Sequence, residues 1–191
     1  KGDGINEITD FKIGEDEIVF LNTDGTKISE GISYFNNPVG PDYGVIGVIS
    51  SSSDIHVIAK LPDTEIFQLS ESGYVHTSDD NLNAMLIAMT EVSSNYTPVA
   101  VYEDGSGSVL IESGHHIYGG AGVTDQSLNR DGIFVRTGEE AGNIQIIAQS
   151  VAGLDDAIVM THNGQGKSLI KVGGDINSET FDQFDDDYSY A

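Results

Sequence analysis

Gly2, Asp3, Gly4 and Asn6 combine two kinds of residue that a hard divalent cation selects. The glycines let the backbone turn tightly, and the short side chains of Asp3 and Asn6 aim oxygens into the turn. Calcium is the ion such a set of oxygens suits. Asn6 supplies a carbonyl oxygen without charge, so a site built here is weaker than one made of carboxylates alone. Acidic turns further along repeat the theme with less force. They are Asp79-Asp80, Asp104 within Glu103-Asp104-Gly105-Ser106-Gly107, Asp125 after Gly119-Gly120-Ala121-Gly122, and the pair Asp155-Asp156. His115 and His116, beside Tyr118, form the single adjacent histidine pair. Neighbours on a regular strand point to opposite faces, so the two do not share one zinc ion unless the backbone is distorted there. No G-x-S-x-G elbow, H-E-x-x-H helix or phosphate-binding loop occurs, which points away from catalysis.

The positioning elements must come from 191 residues rich in Val, Ile and Gly, with 38% apolar residues. That length and composition support a real core and favour sheet over helix. Acidic residues number 31 against 8 basic ones, a formal charge of −23. A surface of this sign repels nucleic-acid phosphates, and its self-repulsion is relieved by bound cations. There is no cysteine, so packing and ions carry the stability that disulfides would otherwise supply. No apolar run is long enough to span a bilayer as a helix.

Read in order, residues 45–49 and 55–59 are two β-branched runs around a serine-rich turn and predict a hairpin, with His56 inside its second strand. Residues 36–44, with two prolines, predict a loop. Leu82, Met85, Leu86 and Met89 recur at helical spacing after Ser78 and Asp79, which predicts an amphipathic helix near residues 79–93. Strands are then expected at 99–102, 109–112, 133–136, 144–148, 157–160 and 169–172, separated by Gly- and Asp-rich turns. Such spacing suits a sandwich or a β-solenoid. No strict nine-residue period continues, so the expectation is an all-β chain folded as an antiparallel β-sandwich, or as a short β-roll end running into one. The domain division expected is a turn and strand over 1–22 and a β-rich domain over 23–191, whose two closely packed halves would meet near 94–98.

The opening Lys1-Gly2-Asp3-Gly4-Ile5-Asn6-Glu7-Ile8-Thr9 resembles a last, degenerate nonapeptide of the repeats-in-toxin family of secreted bacterial proteins. The next residues, Ile8-Thr9-Asp10-Phe11 followed by Gly14, Asp16 and Ile18, resemble the closing segment found after such repeats in serralysin-type proteases and large bacterial adhesins. The resemblance covers about residues 1–21. It implies calcium bound by Asp3, Asn6, Asp10 and Asp16 with Gly2 and Gly4 shaping the turn, type I secretion, and an extracellular or cell-surface location. It also implies that Lys1 stands inside a longer polypeptide. The tail Thr180–Ala191, acidic with interleaved aromatics, is similar to an uncleaved export signal or to a segment donated to an open sheet edge.

Together these observations lead to a non-catalytic calcium-binding module serving adhesion, surface coating or extracellular assembly. Its expected partners are calcium, a glycan or cell-surface ligand, and further copies of itself, with neither nucleic acid nor a transmembrane segment. Two alternatives stand beside it: the export and folding domain of a secreted hydrolase, and a self-assembling filament or surface-layer subunit.

Overall fold

The computed structural model describes residues 6–16, 19, 21, 24–26, 32–36, 43–49, 55–69, 73–77, 82–120 and 130–178. All regular elements among them are strands, and no helix there is long and apolar enough to cross a membrane. In chain order these are β1 Asn6–Glu7, β2 Ile32–Asn36, β3 Tyr43–Ile49, β4 Ile55–Pro62, β5 Thr64–Leu69, β6 Gly73–Thr77, β7 Asn83–Ala88 and β8 Val92–Ser94. They continue as β9 Val99–Glu103, β10 Val109–Gly119, β11 Ile133–Thr137, β12 Ile144–Gly153, β13 Ile158–Thr161, β14 Ser168–Val172 and β15 Ile176–Ser178.

β2, β3 and β4 form an antiparallel sheet, with β1 added parallel to β4, and β2 and β3 lie against β5. Between β4 and β5 stands Asp63, whose φ of 52° is the left-handed conformation that a short polar side chain tolerates. From β5 onward every pairing is parallel. The chain winds as a coil with three arms. The first arm stacks β5, β7, the start of β10, the start of β12, and β14. The second stacks β8, the ends of β10 and β12, and β15. The third stacks β6, β9, β11 and β13.

Neither the antiparallel sandwich nor the helix near residues 79–93 is what the chain builds. Registers set the coil length: Val109 pairs with Ala84, Ile117 with Val92 and Ile158 with Ile133, each twenty-five positions apart. One coil is longer. Gly119 and Ile133 are fourteen positions apart where their ladder partners Gly153 and Ile158 are five apart, so nine extra residues enter at that corner. A nine-residue repeat is therefore the wrong unit to test, and the insertion hides the right one.

The supposed helix is β7. Its residues 84–88 are apolar without a break because both faces are covered. Ala84, Leu86 and Ala88 turn into the coil interior with Val109, Ile111, Ile144, Ile146 and Val135. Met85 and Ile87 turn outward, with Leu110, onto Ile13, Leu61 and Ile66, flanked by Ile8 and Phe11. Residues 8–16 thus strap across the outside of the first arm. A short run apolar on both faces mimics helical spacing, and only its partners tell the two apart.

A polar ladder locks one corner of the coil. Asn83 Oδ1 accepts from Ser108 N at 3.0 Å, Ser108 Oγ from Asn143 N at 2.9 Å, and Asn143 Oδ1 from Lys167 N at 2.8 Å. Each coil's side chain thereby satisfies a main-chain donor of the next. The same Asn143 donates from Nδ2 to Ile13 O at 2.8 Å, and Gly14 N donates to Gln145 Oε1 at 2.7 Å, so the ladder also fastens the strap. Gly14 has φ 85° and its α-carbon faces Asn143 closely, a position suited to glycine.

Candidate functional site: a notch at the bend of the long strands

β10 and β12 run through two arms and must bend between them. At the bend of β10, Ser113 is 3% exposed, and its hydroxyl accepts from His115 N and donates to His115 O, both at 3.1 Å. This local pairing distorts the strand, so that Gly114, His115 and His116 are all exposed. The alternation expected of the histidine pair is broken there.

The bends differ in length from coil to coil. Ser113 pairs with Ala148 and His116 with Ser150, so Gly114 and His115 stand opposite the single residue Gln149. Ala148 pairs with Val172 and Val151 with Ile176, so Gly173 and Gly174 also stand opposite Gln149. The middle coil is one residue short, and its surface recedes between its neighbours. The result is a notch of about 320 Å3 lined by His116, Gln149, Ser150, Gly174, Asp175 and Asn177. Glycines on both sides keep its walls low.

Across the notch runs a column of one residue per coil. His116 pairs with Ser150, and one step before Ile176 comes Asp175, level with Ser150. His116 Nδ1 and Ser150 Oγ are hydrogen-bonded to each other. Glu91, one step before Val92, falls on the same column beyond His116. A second column holds Ser93, Tyr118, Ala152 and Asn177. Tyr118 is half-buried between two small neighbours.

Chemically, the notch presents an imidazole, a hydroxyl, two side-chain amides and one carboxylate, next to an aromatic ring. The amides of the bend are engaged: Gly173 N with Ala148 O at 3.0 Å, Gly174 N with Gln149 O at 2.7 Å and Val151 N with Asp175 O at 3.1 Å. These backbone donors hold coil to coil and do not converge on a point where an oxyanion would form. The arrangement is suited to holding a polar ligand.

The calcium set read from the sequence falls mostly elsewhere. Gly2, Asp3, Gly4 and Asp125 lie outside the described residues. Asn6 is in β1, its backbone paired with Ala59. Asp10 is exposed beside Phe11. Asp16 closes the turn of the strap, its Oδ2 accepting from Lys12 N at 2.8 Å. Among the described residues no three His, Cys, Asp or Glu side chains gather as a metal cage. Asp104 and Asp156 are exposed at corners. Asp155 is taken by Arg130, whose Nη2 lies 2.9 Å from Oδ1 and whose amide donates to Oδ2 at 3.0 Å. That pair anchors the chain where the nine-residue insertion rejoins the coil. His162 serves a corner as well: Nε2 donates to Gly142 O at 3.0 Å, which leaves Nδ1 to accept from the Ser168 hydroxyl at 2.7 Å.

Sequence reasoning missed Gln149, Ser150, Asp175 and Asn177. Laying Gly174–Asn177 over Gln149–Ala152 at twenty-five residues, and Gln149–Ala152 over His115–Tyr118 at thirty-four once the nine-residue insertion is allowed for, would have placed them side by side. Compared with protein-family models, with curated proteins and with solved structures, the chain matches none of them.

Proposed function

We propose that this chain is a non-catalytic, calcium-supported extracellular binding module of a type I secreted bacterial protein, acting in adhesion, surface coating or extracellular assembly. The observation that carries the binding role is the notch, a concave polar site built by a one-residue difference between stacked coils. The calcium and secretion parts are supported by the resemblance of residues 1–21, by the charge of −23 and by the absence of cysteine. Calcium held by Asp3, Asn6, Asp10 and Asp16 would fasten the start of the strap, coupling the ion to the cover of the first arm. Thermal unfolding in chelator and then in millimolar calcium tests this. A rise in melting temperature that shrinks in the Asp10→Ala, Asp16→Ala double variant supports the assignment, and an equal rise in both proteins rejects it.

Assembly into a filament is the second reading, favoured by one observation. Ile170 and Ile176, in the last coil, are 41% and 53% exposed, whereas their ladder partners Ile146 and Val151 are fully buried. Among the described residues nothing pairs with the far edges of β13, β14 and β15. Size-exclusion chromatography with and without calcium decides it, a monomer under both conditions counting against assembly.

A further inference from the structure

We infer that the notch binds a neutral saccharide, an assignment that rests on the binding-module reading above and names its ligand. Three features select this class. First, the polar groups are mixed: Asp175 accepts, Ser150 and Asn177 both donate and accept, and Gln149 adds a further amide. Sugar hydroxyls need such alternation, each being donor and acceptor at once. Second, Tyr118, half-buried, lies in the adjoining column between Ser93 and Ala152, and its exposed part offers an aromatic surface on which the apolar C–H face of a pyranose can pack. Adjacent coils are separated by roughly 5 Å, so Tyr118 and the Ser150 and Asp175 side chains fall within the span of one or two sugar rings.

Third, charge narrows the choice. A chain of net charge −23 repels acidic saccharides, phosphorylated ligands and nucleic acid. A basic peptide would gain from that field, but of the residues that line the notch Asp175 alone carries a carboxylate. Its composition matches hydroxyls better than ammonium or guanidinium groups. His116, tied to Ser150, fixes the direction of that hydroxyl and acts as a positioning residue.

The test is an array of neutral and acidic oligosaccharides probed with the fluorescently labelled full chain, followed by calorimetry with the best neutral hit and with a Lys-rich decapeptide. Binding of a neutral oligosaccharide is expected, weakened about tenfold or more by Asp175→Ala and by Tyr118→Ala. Insertion of one glycine after Gln149, which restores the missing residue of the bend, should abolish it. Tyr102→Ala, on the outer face of the third arm, should leave affinity unchanged, and equal melting temperatures of wild type and the substitution variants separate lost binding from lost folding. His116→Ala should weaken binding and His116→Asn should restore part of it, as a positioning role requires. Binding of acidic saccharides alone, or neutral binding that survives both the glycine insertion and Tyr118→Ala, overturns the assignment. Peptide binding that the insertion abolishes overturns the saccharide and keeps the notch as a binding site. Absence of binding to every probe overturns both.

Discussion

β10 and β12 each carry two outer faces that meet different fates. Over the first arm, their outward residues Leu110 and Ile147 join Met85 and Ile87 under the strap of residues 8–16. Past the bend, the same strands turn His116, Tyr118, Ser150 and Ala152 to the outside, where the notch opens. The interior of both arms is apolar except for Ser113 at the bend of β10. Outward chemistry alone therefore separates a surface that another segment must cover from one free to meet a ligand. A parallel coil spends its inward positions on stability, and function is written on the outward ones.

The contrast breaks most readily at the strap. Ile13→Ala or Leu110→Ala should each cost about 2–5 kcal/mol, as deletion of a buried aliphatic side chain does, read from urea unfolding midpoints. Ser150→Ala and Asn177→Ala, on the open face, should stay within about 0.5 kcal/mol. Equal losses on the two faces would erase the distinction. Asn143→Ala comes next, at about 0.5–1.5 kcal/mol per hydrogen bond lost, because it removes the partners of the Lys167 amide and of Ile13 O. Limited proteolysis should then show cleavage near the strap before any cleavage in β10 or β12. Saturating calcium at a hundredfold excess over its dissociation constant should add about 2.7 kcal/mol to stability through the strap, and leave saccharide affinity at the notch unchanged.

The smallest effect lies away from both faces. The Thr26 hydroxyl and amide hold the Asp24 carboxylate below its ordinary value of 3.8, the hydroxyl contributing most. A depressed folded-state value means stability that is present above the unfolded value and lost as pH falls through the folded one. Thr26→Val should move the Asp24 titration upward toward 3.8 in an NMR pH series and change neither face.

Several strands were legible in the sequence as β-branched runs. Residues 109–112, 144–148 and 169–172 fall within β10, β12 and β14 because Val and Ile pack well on a pleated surface wherever it lies. Their partners were not legible. In this parallel coil a strand pairs with one nineteen to thirty-five residues away, as Thr64 does with Asn83 and Val109 with Ile144, and no local signal encodes that choice. β7 was misread because cover on both faces removes the alternation that marks a strand. His116 stood out as a residue type, while Ser150 and Asp175 gain meaning only when three coils bring them to one column. The notch depends on a bend one residue shorter than its neighbours, a difference visible only after the coils are aligned.

The bonds that fasten Ile13 and Gly14 to Asn143 and Gln145 join residues 130 and 131 positions apart. A chain that emerges N-terminus first from a ribosome presents residues 8–16 long before their landing site exists. β7, β10 and the start of β12 must wind before Phe11 and Ile13 have a surface to settle on, so a segment that precedes them all in sequence docks after them. The docked strap thereby serves as a timestamp: it reports that the coils through β12 are complete.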